Sequence, residues 1–251
     1  MTSCSISSSA LYERLIRRVY LDRDLDGSPI VAAIRADLAH ADLEFVTDKS
    51  EIPAEHMRQS TVYVTRTRGS RFGSCPGTPV HRCCNYHTVD VYEGCSLGCT
   101  YCIMKSYLNF APLTVYTDTK SIVAAIRSAA AAEPQRFFRV GSGEVGDSLL
   151  LDPVFELTRD YIVGLADLPN VTFEAKTKTC FVDHLLDVAP KGNAVIGFSL
   201  NPGTFSRAEE GVAAPVEDRI RAAKSAASAG YRVAFQFDPI VRGEGWEREY
   251  S

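Results

Sequence analysis

The chain has 251 residues, 45% hydrophobic and 23% charged, which is the composition of an ordinary soluble globular protein with enough apolar material for a sizeable core. A formal charge of −4 and a pI near 5.8 exclude a global positive field for nucleic acid, so any such affinity has to be local. No run of about 18 apolar residues occurs, and the N-terminus (MTSCSISSSALYERLIRRVY) has neither a basic start nor an apolar signal core, so a cytoplasmic protein without membrane contact is expected.

In chain order, residues 10–20 read as a short amphipathic helix, and PIVAAIRADLAHADLEFV from Pro29 as a second helix running toward a strand, with Pro suited to the first turn. STVYVTRTRG alternates like a half-buried strand, and the Gly-, Pro- and Cys-rich SRFGSCPGTPVHRCCNY that follows reads as a loop. From Val89 strands and helices alternate, the pattern of a parallel sheet covered by helices. Strands are expected near 88–93, 137–141, 171–175, 194–200 and 232–238, with helices at about 119–132, 152–165, 181–188 and 215–229 and Gly230 at a helix end. Five βα units fit a (β/α) barrel or partial barrel, whose active residues sit on loops at the C-terminal ends of strands. The sequence ends at GWEREYS, a few residues past the fifth strand, so the barrel is either short or incomplete.

Of eight cysteines, Cys75, Cys83, Cys84, Cys95, Cys99 and Cys102 crowd into one region, leaving Cys4 and Cys180 outside it. In a reduced compartment such clustering points to metal binding or redox chemistry. Cys95, Cys99 and Cys102 form C-x3-C-x2-C directly after the first barrel strand. A structural zinc site wants four protein ligands, and no Cys or His follows Cys102 in the loop to supply the fourth. An iron–sulfur cube on three thiolates leaves one iron open to a substrate or cofactor. The competing reading is a zinc knuckle completed by Cys83, Cys84, His81 or His87, giving a non-catalytic zinc- or cluster-binding module with a nucleic-acid partner. Cys83 and Cys84, being adjacent, are poor joint ligands for one tetrahedral metal.

The three-cysteine motif, with Tyr101 immediately before its last thiol and set after a barrel strand, resembles the radical S-adenosylmethionine superfamily. CTYCIMKSYLN, GSGEVGDSLLLD, FEAKTKTCFVDHLL, VIGFSLNP and EEGVAAPVEDRIRAAKSAASAGYRVAFQFDPIVRGEGWEREY together resemble the spore photoproduct lyase-like family, in order over about residues 80–251. The resemblance implies an α/β fold with a partial (β/α) barrel of radical SAM type at 81–251 and an N-terminal α/β extension at 1–80. It implies a 4Fe-4S cluster on Cys95, Cys99 and Cys102. S-adenosylmethionine at the open iron would be cleaved reductively to a 5′-deoxyadenosyl radical that abstracts hydrogen from a substrate. An electron donor such as a flavodoxin or ferredoxin is the implied partner, and a DNA lesion is a candidate substrate.

Residue by residue, Ser142, Gly143 and Glu144 fall on the superfamily's glycine-rich cofactor strand, where Glu144 could accept a hydrogen bond from the cofactor ammonium. Lys178, sharing a strand face with Lys176, falls where the family places a cation for the cofactor carboxylate. Ser199 and Asn201 could bind cofactor or substrate, although Asn-Pro is also a turn signal, and Asp147 could orient a ribose or cap a helix. Tyr101, Tyr107 and Phe110 could wall off adenine or serve only as core. Arg66, Arg68 and Arg71 form a candidate nucleic-acid patch, though exposed arginines are common. One departure is plain: the lyase proper returns hydrogen from a cysteine near the end of the second barrel strand, and this chain has no Cys between Cys102 and Cys180. Cys180 reads as a half-buried structural thiol.

Overall fold

The computed structural model describes residues 4–66, 69, 71–75, 77, 84–107 and 112–250. The first half contains α1 (Ser8–Leu15), β1 (Arg18–Asp22), α2 (Pro29–Asp37), β2 (Asp42–Val46), β3 (Thr61–Thr65), β4 (Phe72–Ser74), β5 (Tyr86–Val89), β6 (Tyr92–Glu93), α3 (Met104–Tyr107) and β7 (Leu113–Tyr116). The second contains α4 (Thr119–Ala132), β8 (Phe138–Ser142), α5 (Asp152–Phe155), α6 (Leu157–Gly164), β9 (Val171–Thr177), β10 (Val195–Ser199), α7 (Gly203–Glu209), α8 (Val216–Ser228) and β11 (Arg232–Gln236).

Two sheets result. One runs β2-β1-β3-β7-β6, parallel except for β6 against β7; the other runs β11-β10-β9-β8-β5-β4, parallel except for β4 against β5. The strands expected near 137–141, 171–175, 194–200 and 232–238 lie side by side in chain order next to β5, while the strand expected at 88–93 is divided, its start in β5 and Tyr92–Glu93 in β6 of the first sheet; β4 and β11 are the edges, so the second sheet is an open partial barrel. The first sheet takes in β6 and β7 from beyond residue 80, and one apolar core runs through both sheets.

Several local expectations are corrected. Residues 10–20 are not one helix: α1 stops at Leu15, and Arg18–Asp22 becomes the central strand β1, almost wholly buried between β2 and β3. A short apolar run buried on both faces has no period that separates strand from helix. Within the expected loop, Phe72–Ser74 is the edge strand β4; residues 76 and 78–83 lie outside the described residues. The expected helix 152–165 is broken at Glu156, where φ is 49°. The cause is the buried Asp152 carboxylate, which caps α6 at the Thr158 N–H (2.9 Å) while accepting from the Tyr92 hydroxyl (2.7 Å). The expected helix 181–188 is a single turn at Asp183–Leu185 that drops Val182, Leu185 and Val188 into the core. Cys180 is fully buried rather than half-buried, and it is joined to Cys4 in a disulfide with Cα atoms 6.0 Å apart.

Strand alternation divides the partial barrel into two faces. Phe138, Val140, Phe173, Ala175, Ile196 and Phe198 point to the helix layer and the core. Tyr86, Arg139, Glu174, Lys176, Ser199 and Gln236 share the opposite, concave face, which is polar. Glycines make room there. A Cβ at Gly141 would run into the Tyr86 hydroxyl, and one at Gly197 would come within 2.7 Å of the Glu174 carboxylate.

The Tyr86 hydroxyl is buried without a hydrogen-bond partner among the described residues. Gly141→Ala is therefore expected to cost about 1–3 kcal/mol by overpacking. Tyr86→Phe should be neutral or stabilising, since it removes an unsatisfied group, and the double variant should lose less than Gly141→Ala alone. Urea unfolding of the three variants checks all three expectations.

Candidate metal and cofactor site

The cysteine loop leaves β6 at Glu93 and is fixed immediately. Gly94 bridges Gly146 and donates its N–H to Val145 O (2.8 Å). Further on, the Thr100 N–H donates to Glu209 O (2.8 Å), and the Val212 N–H donates to Leu97 O (2.8 Å). Gly211, in the left-handed region at φ 57°, lets the turn after α7 lie against the loop backbone; a Cβ there would collide with Leu97 O.

The loop roofs a cavity of about 370 Å³ at the C-terminal end of the concave face. Cys95, Cys99, Cys102, Tyr101, Gly143, Glu144, Lys178 and Ser199 all line it, together with Lys176, Asp147 and Asp238. Ser142 and Asn201, both expected at the site, do not line it. Alternation along β8 turns the Ser142 side chain to the helix side, where its hydroxyl pairs with that of Ser148 (2.8 Å).

No other Cys and no His lines the cavity among the described residues. Among the described residues, the trio of Cys, His, Asp or Glu whose ligating atoms converge within 4.8 Å is Cys4, Cys180 and Asp218, not the motif. Two sulfurs on one tetrahedral zinc would sit about 3.8 Å apart, so the more widely spread motif thiols suit a multi-iron group with one position left to a ligand. Burial pushes the Cys95 and Cys99 thiols up, so at neutral pH both hold their protons until a cation displaces them.

One decisive residue carries no local sequence signal. Glu210, 1% exposed, ends α7 and faces the loop. Its Oε1 accepts from Lys178 Nζ (3.0 Å), Asn201 Nδ2 (3.0 Å) and the Tyr101 hydroxyl. Its Oε2 accepts from Arg219 Nη2 (2.6 Å) and Ser206 Oγ (2.7 Å). Burial alone would raise this carboxyl; the charges of Arg219 and Lys178 and the hydroxyl donors outweigh it and hold the pKa below the usual carboxylate range. Lys178 also lies 5.6 Å from the Tyr101 ring centre.

Residues 31–251 match the family model described as spore photoproduct lyase. The chain belongs to the spore photoproduct lyase family. The spore photoproduct lyases of Geobacillus sp. (strain Y412MC61) and Bacillus subtilis (strain 168) are each 25% identical over 220 residues, 86% of this chain and 62% of theirs. The chain thus spans about 62% of the length of the curated relatives it matches. A solved spore photoproduct lyase complexed with dinucleoside spore photoproduct aligns at TM-score 0.81 and 24% identity, covering 94% of this chain and 71% of that one. A mutant with bound AdoMet and dinucleoside spore photoproduct aligns at 0.81 and 23%, with the same coverage. These structures share the fold.

Within this family framework the remaining residues fall into place. Glu144 accepts from Lys176 Nζ (2.8 Å) across the cavity wall. Asp147 is consumed structurally: its oxygens take the Leu149, Leu150 and Lys178 N–H groups (3.0, 2.9 and 2.7 Å) and the Thr177 hydroxyl (2.8 Å). Asn201 is buried in the Glu210 network. Tyr107 ends α3, while Phe110, His81 and Cys83 lie outside the described residues. Cys84 is exposed, and His87 is stacked between Phe72 and Phe138, away from the cavity lining. Of the arginine patch, Arg66 pairs with Asp24 (3.4 Å), Arg71 lies over the Tyr116 ring (3.6 Å), and Arg68 lies outside the described residues. No helix among the described residues is long and apolar enough to cross a membrane.

Gly211→Ala is expected to leave far-UV circular dichroism unchanged while weakening metal retention by about 10–100-fold, the usual cost of disturbing a ligand's support. Iron per chain after anaerobic reconstitution and desalting checks this.

Proposed function

We propose that this chain is a radical SAM enzyme in which Cys95, Cys99 and Cys102 hold a 4Fe-4S cluster and the rest of the cavity receives S-adenosylmethionine. The observation that carries the reading is the cavity itself: three spread thiols at one end, paired cations and carboxylates along its wall, and no fourth Cys or His among its lining. Bound and reduced, such a cluster supplies the electron that cleaves S-adenosylmethionine to a 5′-deoxyadenosyl radical. The chain's own residues bind and orient. Lys178 would meet the cofactor carboxylate, Glu144 its ammonium, Ser199 its polar edge and Tyr101 the wall beside it. An electron donor of flavodoxin or ferredoxin type would supply the reductant.

The substrate would lie along the polar concave face below the cavity, and hydrogen abstraction from a nucleic-acid lesion is the reading we favour, by analogy with the solved relatives that carry dinucleoside spore photoproduct. How hydrogen is returned would differ from a strand-end thiol. The chain has none between Cys102 and Cys180, and Cys180 is tied to Cys4 outside the cavity lining.

Anaerobic reconstitution with iron and sulfide, followed by dithionite and S-adenosylmethionine, tests the chemistry. Wild type is expected to give 5′-deoxyadenosine, and Cys99→Ala none above background. Stoichiometric zinc with no deoxyadenosine would overturn the reading. Release of two thymidines from dinucleoside spore photoproduct tests the lesion, and turnover of the cofactor without thymidine would remove that substrate alone.

A further inference from the structure

We propose that Glu210 is the positioning residue of this site: its carboxylate fixes Tyr101 and Lys178 at the cavity wall and sets the charge beside Cys99. The proposal rests on the cluster-binding reading and extends it to a residue absent from the cavity lining.

The five donors to Glu210 come from five segments: Tyr101 from the cysteine loop, Lys178 from the end of β9, Asn201 from the end of β10, Ser206 from α7 and Arg219 from α8. The two oxygens divide the work. Oε1 collects the three donors on the cavity side, and Oε2 the two on the helix side. Arg219, with no exposed surface, also donates to Ser199 O (2.8 Å) and Ala214 O (2.7 Å), so the same ion pair places the backbone of a second cavity residue. The backbone carbonyl of Glu210 lies 3.9 Å from Cys99 Sγ. Side chain and main chain of this residue thus hold the loop from two directions.

Charge counting gives the sign of the effect. Lys178, Arg219 and Glu210 sum to +1, exposed to the cavity through Lys178 next to Cys99. Reducing an iron–sulfur cluster adds negative charge, so nearby positive charge raises its potential. Glu210→Gln leaves two cations and should shift the midpoint potential upward; Lys178→Met leaves a neutral pair and should shift it downward. A scaffold role alone would lower cluster content in both variants without moving the potential in opposite directions.

The test compares wild type, Glu210→Gln and Lys178→Met as full chains reconstituted anaerobically, with the midpoint potential followed by EPR. Opposite shifts support the proposal; unchanged potentials, or shifts of one sign, with clusters assembled, overturn it. If Glu210→Gln does not fold, Lys178→Met still carries the sign, and no downward shift counts against the proposal. Should wild type hold no cluster, the cluster reading fails separately, and the metal-free chain decides the positioning role by amide hydrogen exchange. There Glu210→Gln is expected to speed exchange at Thr100 about tenfold, the equivalent of one hydrogen bond, with Glu210→Asp recovering part of the protection. Unchanged exchange would sink the proposal whatever the metal.

Discussion

A carboxylate inside a protein must be compensated where it stands, and that requirement at Glu210 governs how the cysteine loop meets the partial barrel. Each segment that approaches the buried oxygens has to bring a donor, so the ends of β9 and β10, α7 and the first turns of α8 converge on one point. Removing any one donor would leave a buried carboxylate with one partner fewer. The geometry of the cavity wall is therefore over-determined, and the cysteine loop is held in place by the protein's own hydrogen bonds.

The rest of the architecture serves that junction through the two-residue period of the strands. One face of β8, β9 and β10 is apolar and disappears under α4, α6 and α8, supplying the core. The other face is polar and concave, and where it must accommodate the Tyr86 ring or the Glu174 carboxylate the neighbouring strand offers glycine. A single alternation thus separates stability from chemistry. The Ser142 side chain falls on the core side of that division, while Gly143, next along, opens onto the cavity.

What the sequence made legible was whatever depends on near neighbours. The helix at Thr119–Ala132 and the helix at Val216–Ser228 stand where apolar spacing placed them, and the five parallel strands keep their order. The spacing of Cys95, Cys99 and Cys102 marked the loop that roofs the cavity. Failures share a different cause. β1 looks like the continuation of α1 because strand burial on both faces erases the period. β4 and β7 are short; β4 pairs across a Gly-, Pro- and Cys-rich stretch that has no period, and the parallel partner of β7, β3, lies about 50 residues upstream. Glu210 is not singled out, because the Tyr101 hydroxyl that it holds is 109 residues upstream.

The path of the chain through the cysteine loop also has a kinetic consequence. The strands flanking the loop, β6 and β7, belong to the first sheet, whereas Thr100 and Tyr101 are held by residues 109 positions later. Contacts of such long sequence separation form late, after the entropy of closing the intervening chain has been met. On a ribosome the thiols emerge well before the turn at residues 209–212 that holds them. The loop then spends that interval open and unclamped, so its three thiols reach their places on the cavity only after the second half of the chain has docked. Synthesis order thus sets when the cavity can first exist.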